Sequence, residues 1–411
     1  MTGSDTVRAV EIFVILLGAA SLVAVATRRV TALPYSVALV VLGTVVAALH
    51  LPLRVQINPQ LLLAVLLPAL VFEGAYRTDV RRLWQNLPVI LFLAVPGVLV
   101  TAGLTAIVLN QAVGLDLGLA FLAGTMLAAT DPAAILAVFK SLGASRRLST
   151  VVEAESLFND GTGVVIFVVA LGAIGHAVTP GQLVVDIVLS IVVSTLIGAI
   201  VGFVASWLLS PIRDHLIELT VSVVAAYGSY LLTAELGQSG LISTVVCGLV
   251  LGSYGGRLGL SREAKDAIDT VWEFIGFLAT TLVFLLVGLS MGISQLLAAS
   301  GAILAALVAL LVSRGVMVYG VLGGGERLLR RFGWTSPMPS GWLHLVAWSG
   351  LRGAVSIALA LSLPDDLPSR DLLQGIVFGC VLLTLLLQGT TAQFLVRRLG
   401  LGGHDELAEV S

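Results

Sequence analysis

Charge is what the sequence has least of. Only 11% of its 411 residues are Asp, Glu, Lys or Arg, against about 25% in an average soluble domain. Hydrophobic residues reach 58%. The polar surface left over is too small to cover a water-facing globule, which excludes a soluble fold. Basic and acidic residues nearly cancel, 22 against 24. Aromatics stop at 6% and nowhere interleave with a basic stripe, which argues against nucleic acid as a partner. Cysteine is almost absent: Cys247 and Cys380 stand in separate apolar runs without metal-ligand spacing. Both read as core thiols, and neither a disulfide framework nor a cofactor is expected. Glycine, by contrast, is abundant at 44 residues, as in membrane helices that pack closely through small side chains.

What is present is a series of apolar runs, each near the roughly 20 residues that a bilayer span needs. Thirteen spans are predicted, at 9–27, 34–51, 58–75, 87–110, 116–140, 150–175, 182–209, 217–236, 239–255, 268–292, 295–323, 341–363 and 371–396. The first carries Asp5 and Glu11 ahead of its apolar stretch and Arg28 and Arg29 behind it. That polarity is wrong for a cleaved signal, so the span is read as retained. The fold class expected is an all-α polytopic membrane protein, with residues 1–398 as the transmembrane domain and 399–411 as a short cytoplasmic tail. Loops are short, and no soluble catalytic or sensing domain is expected.

Positive charge fixes the orientation. Seventeen of the 22 Lys and Arg residues fall in the loops after odd-numbered spans or in the tail, and only Arg8, Arg54 and Arg370 fall on the opposite side. By the positive-inside rule the N-terminus is outside, the C-terminus is cytoplasmic, and the protein sits in the plasma membrane.

Ionisable groups at bilayer depth are costly and are functional candidates by default. They are Glu73, Asp131, Glu153, Glu155, Asp160, Glu273, Arg314 and Arg352. In span 5 the run Thr130-Asp131-Pro132 should break the helix, because proline removes a donor and pushes the preceding residue out of helical geometry. Freed carbonyls then stand beside a hydroxyl and a carboxylate, oxygen chemistry suited to a small cation. The simpler alternative is a proline kink with Asp131 paired to a neighbouring helix. In span 6, Ser156 stands one helical turn above Asp160, and Glu155 above Asn159. Here the alternative is Asp160 in a buried pair with an arginine. Glu153 lies nearer the end and reads as a solvated boundary charge. Arg352, flanked by Gly350 and Gly353 in span 12, marks a second broken helix and is the natural counter-charge for Glu155 or Asp131. Glu73 either lines an entrance or reaches the headgroups, and Glu273 and Arg314 read as a structural pair. His176, His344 and His404 read as incidental.

The two interrupted spans, 5 and 12, sit seven helices apart. Two inverted six-helix repeats, about 9–175 and 217–396 joined by a linking helix at about 182–209, would place them at equivalent positions. Inverted repeats with broken helices near the midplane are a recurring architecture of secondary transporters.

Taken together, Ala129-Thr-Asp-Pro-Ala133, Glu153-Ala-Glu-Ser-Leu-Phe-Asn-Asp-Gly161 and Gly350-Leu-Arg-Gly-Ala-Val-Ser356 are distinctive, and they resemble the cation:proton antiporter-1 family in its NhaP-type, sodium/proton-exchanger branch. The resemblance runs over essentially the whole chain. It implies a sodium site formed by Asp160 and Asp131, with oxygens from Thr130, Ser156 and Asn159 and a contribution from Glu73 through span 3. It also implies a helix-linking ion pair between Glu155 and Arg352. Asn159 stands where electrogenic relatives carry a second aspartate, which implies electroneutral one-for-one exchange. The partners implied are sodium or another monovalent cation, protons, the lipid bilayer and a second copy in a homodimer. Regulation through a long cytoplasmic tail is not expected.

Exchange follows from competition: a carboxylate holds a proton or a sodium ion but not both at full strength. An empty, doubly charged site is too costly to carry through apolar surroundings, so only the loaded protein crosses. Potassium instead of sodium is the first alternative, since both ions take oxygen ligands. A cation channel is more distant, lacking a Thr-Val-Gly-Tyr-Gly filter. Neither protease motif fits, with Ala-Trp-Ser-Gly at 347–350 and Gly-Thr-Gly after Asp160. The protein is therefore read as a secondary transporter, not an enzyme.

Overall fold

The computed structural model of the protein describes residues 3–29, 34–49, 62–174, 180–212, 214–258, 262–290, 292–324 and 338–401. His176, His404, Arg54 and the tail beyond residue 401 lie outside them. All regular secondary structure among the described residues is helical, with no strand. In chain order the helices are α1 (Gly3–Arg29), α2 (Tyr35–Ala48), α3 (Leu67–Arg77), α4 (Val80–Ala94), α5 (Pro96–Val113), α6 (Leu117–Ala128), α7 (Ala133–Leu142), α8 (Arg146–Ala173) and α9 (Pro180–Leu209). They continue as α10 (His215–Glu235), α11 (Gly240–Leu258), α12 (Arg262–Ser290), α13 (Ile293–Ala298), α14 (Ser300–Gly315), α15 (Ser340–Trp348), α16 (Ala354–Leu361), α17 (Arg370–Thr384) and α18 (Thr390–Arg398).

Grouped by continuity, these make thirteen membrane-crossing segments among the described residues. Eight are long and apolar enough to cross outright, and Val14–Thr27, Tyr35–Ala47 and Gly240–Ser253 are shorter apolar helices. The other two are α3, entered through a wide turn at Leu62–Leu66, and the interrupted pair α15/α16.

The fourth span begins seven residues earlier than its apolar run suggests. Asp79 accepts from the backbone N–H groups of Arg81 and Arg82 and so caps α4. This puts two arginines, read from sequence as loop, into a first helical turn. The apolar stretch then continues to Val113 through a bend at Val95-Pro96.

Glycine sets how closely helices approach. A Cβ at Gly43 of α2 would sit 2.4 Å from the Leu285 carbonyl of α12, and one at Gly288 of α12 would sit 2.2 Å from the Val40 carbonyl of α2. The two backbones touch reciprocally, a geometry open only to residues without a side chain. One apolar cluster gathers Phe72, Tyr76, Ala205, Cys247 and Trp272 from α3, α9, α11 and α12. A larger one fills the space around α6, α8 and α14 to α17. The interrupted helices α6/α7 and α15/α16 lie in the second.

Candidate ion-binding site

The site is built on two helix breaks that face one another. Helix α6 ends at Ala128, the backbone turns extended at Ala129, and Pro132 starts α7. On the other side α15 ends at Trp348 and α16 begins at Ala354. The two extended stretches cross, and the N–H of Asp131 donates to the carbonyl of Leu351 at 2.8 Å.

Each break leaves helix-end carbonyls and N–H groups that need partners. Arginines satisfy the carbonyls. Arg352 donates from Nη1 to Ala128 O at 2.9 Å and Ala129 O at 3.3 Å, at the end of α6. Arg314 donates from Nη2 to Val346 O at 2.7 Å and Ser349 Oγ at 3.2 Å, at the end of α15. A cation at the negative end of a helix is favourable, and a carboxylate at the positive end likewise. Asp131 supplies the carboxylate: its Oδ1 accepts from Ala133 N of α7 at 3.0 Å, and it also meets the backbone N–H of Ala354 at the start of α16. Gly353 makes that position accessible, since a Cβ there would lie 2.1 Å from Asp131 Cβ.

Helix α8 closes the arrangement. Asn159 holds Thr130 twice, donating from Nδ2 to Thr130 Oγ1 at 2.6 Å and accepting from Thr130 N at 3.1 Å. Ser156 Oγ donates to Thr130 O at 2.5 Å. One turn along, Asp160 reaches a cavity of about 200 Å³ also lined by Asp131, Thr130, Ser156, Glu73, Glu153, Thr280 and Ser356. Asp160 Oδ1 is buried and has no hydrogen-bond partner among the described residues. Asp160 lies within electrostatic reach of Asp131 and Arg352. With the Ser156 hydrogen directed at Thr130, what faces the cavity from Asp160, Asp131 and Ser156 is lone pairs.

Several sequence expectations are corrected here. Glu155 does not pair with Arg352. Its partner is Arg314, which holds it bidentately, Nη1 to Oε1 and Nη2 to Oε2, the latter at 2.8 Å. Arg352 turns its Nη1 to the α6 carbonyls, and the arginine of the preceding span reaches Glu155 instead. The expected pair of Glu273 with Arg314 is likewise absent: Glu273 faces Arg77 at 3.5 Å. Asn159 was grouped with the sodium ligands, but both ends of its amide are spent on Thr130. Behind it, next to Glu155, Arg314 and Arg352, the free space is only about 10 Å³, at or below what one water occupies. Asn159 therefore braces the break and does not line the larger cavity.

Glu153, read as a solvated boundary charge, lines the same cavity as Asp160. The signal was in the sequence, because 153, 156 and 160 share one helical stripe. Glu73 is at the cavity edge, where it accepts from Arg77 Nη1 at 2.9 Å. Thr280 is a lining residue that nothing in its local sequence marks, and Ser356, the last residue of the span 12 motif, carries no assigned role in the sequence reading. His344 is engaged by Tyr319 at 2.9 Å, outside the site.

Residues 12–398 match the family described as sodium/hydrogen exchanger, transmembrane. The chain is 37% identical over 377 residues to the Na(+)/H(+) antiporter ApNhaP of Aphanothece halophytica, covering 90% of this chain and 70% of that protein. It is 32% identical over 410 residues to the Na(+)/H(+) antiporter NhaH of Halobacillus dabanensis, covering 95% and 98%. Among solved structures, the sodium proton antiporter MjNhaP1 from Methanocaldococcus jannaschii at pH 8 superposes with a TM-score of 0.78 at 22% identity. That match covers 97% of this chain and 100% of the other, a likeness of fold. Helix breaks, facing carboxylates and sequence similarity over nearly the whole length agree: the chain belongs to the sodium/hydrogen exchanger family.

Proposed function

We propose that the protein is a secondary transporter that exchanges sodium for protons across the membrane, with both ions competing for the carboxylates of Asp160 and Asp131. One observation carries the site: a buried carboxylate oxygen of Asp160 without a partner among the described residues, facing a cavity beside a second carboxylate. A group in that position is costly unless a proton or a cation satisfies it, and those are the two exchanged species. Thr130 and Ser156 complete the oxygen set, and Glu73 and Glu153 line the approach. Asn159 carries no charge, which supports electroneutral one-for-one exchange. Binding of either ion neutralises the site, and the neutral protein alternates between inward and outward forms. Residues about 9–175 and 217–396 are proposed as the inverted repeats, with the N-terminus outside, the C-terminus cytoplasmic, and two copies forming a dimer in the plasma membrane.

The test is proton movement in everted vesicles from antiporter-deficient cells, followed with a pH-sensitive dye as sodium, lithium and potassium are added in turn. Sodium-dependent dequenching that disappears in Asp160→Asn is the expected result. Because proton and sodium exclude one another, the apparent sodium affinity should fall by up to about tenfold per pH unit on acidification. Absence of any cation response in correctly inserted protein overturns the reading. A response to potassium alone replaces the cation.

A further inference from the structure

A second cavity is larger than the ion cavity. It measures about 1230 Å³ and opens between α4 and α8 on one side and α9 and α11 on the other. This exceeds the roughly 300–1,000 Å³ of ordinary small-molecule sites. Its walls are apolar over most of their length, as at Leu91, Val95, Phe158, Ile191, Val246 and Phe203. Its dimensions follow from the helices that line it. The lining runs from Arg81 on α4 to Val95 just past its end, from Ile191 to Phe203 on α9 and from Ile242 to Ser253 on α11. At 1.5 Å per residue these stretches are roughly 21, 18 and 17 Å long. One leaflet, half of a bilayer of about 40–45 Å with its headgroups, is about 20–22 Å.

The charged lining residues, Arg77, Asp79, Arg81, Lys265 and Asp269, come from the ends of α3, α4 and α12. Arg81 and Lys265 are exposed at this rim, and neither makes an ion pair among the described residues. The other rim charges are largely engaged. Arg77 is held by Glu73 and Glu273, and Asp79 by the α4 N-terminus and Arg82. Asp269 also lines this rim, and among the described residues Arg81 and Lys265 are its cations without an ion-pair partner. Trp84, 66% exposed and one helical turn from Arg81 on α4, lines the same cleft, the position of an interfacial aromatic anchor.

We infer that this cleft binds one anionic phospholipid, its phosphate between Arg81 and Lys265 and an acyl chain in the trough between α4/α8 and α9/α11. Leaflet-length apolar walls and unpaired cations at helix ends fit an amphiphile with a negative head, and fit neither a soluble anion nor a neutral lipid. Helix α8 lines the cleft through Leu157, Phe158, Gly161 and Thr162, on both sides of Asp160 in sequence. A lipid there would pack against the helix that carries the exchanging acid, at its boundary with α9 and α11.

Lipid retention by the purified full-length protein tests this without reference to transport. Native mass spectrometry after equilibration with phosphatidylglycerol or phosphatidylcholine should show one phosphatidylglycerol retained per chain, at least fivefold over phosphatidylcholine. The Arg81→Gln/Lys265→Gln variant should lose that preference, and Lys140→Gln should keep it. Val246→Trp, which fills the trough and leaves the rim intact, should lose the retained lipid altogether. Free glycerol phosphate at millimolar concentration should not displace it. Equal retention of the two lipids overturns the proposal, as does unchanged retention in both cleft variants that elute as monodisperse protein. Displacement by free glycerol phosphate would assign a soluble-anion site and overturn it too.

Discussion

The Glu155–Arg314 pair is where a single side chain decides most. Both groups are buried, 2% and 11% exposed, so their charges survive only through each other and the carbonyls around them. Arg314→Met should leave an uncompensated carboxylate and lower stability by about 3–5 kcal/mol. The double change Glu155→Gln/Arg314→Met should recover part of that. Thermal aggregation of purified protein measures both, and a single variant as stable as the double would contradict the pairing. Gly353 is the second decisive position. A methyl there overlaps the Asp131 carboxylate, so Gly353→Ala should abolish exchange while insertion and expression persist. Retained exchange in that variant would mean Asp131 does not need its place at the start of α16.

At the scale of elements, packing here depends on close backbone approach as well as on apolar area, as expected where lipid competes with helices for contact. Gly43→Ala and Gly288→Ala should each force α2 and α12 apart and destabilise by about 1–3 kcal/mol. Gly103, in α5, has nothing within 4 Å of an added Cβ. There the same substitution should be neutral, or stabilising by up to about 1 kcal/mol through helix propensity. Melting temperatures of the three variants in one detergent decide the matter, and equal shifts would remove the contact argument. These close approaches were not legible in sequence. Glycine abundance signalled them in general, but which glycines face a neighbouring backbone depends on helix rotation. The helix breaks were legible, because Thr130-Asp131-Pro132 and Gly350-Leu351-Arg352-Gly353 act locally through backbone chemistry.

For the whole molecule, exchange requires that the cavity around Asp160 change sides. A cysteine at Leu136, which lines the cavity, should change its labelling rate severalfold between sodium and proton conditions. A cysteine at Leu196, 57% exposed on α9, should not. Constant labelling at Leu136 would sink an alternating cavity. The proposed orientation has its own check: a reporter fused after Ser411 should be active only on the cytoplasmic side, and activity on the other side would overturn the positive-inside assignment.

Sequence alone determined the class of the protein. A chain with 11% charge cannot present a wetted surface, and spans, helix breaks and the carboxylates beside them follow from patterns within about twenty residues. Tertiary structure alone decided the partners. Which arginine meets Glu155 and that Asn159 spends its amide on Thr130 depend on residues up to 159 positions apart. The physical reason is that a buried charge takes whichever counter-charge the packed helices bring within reach. That choice is settled by helix rotation and crossing, which no local pattern records.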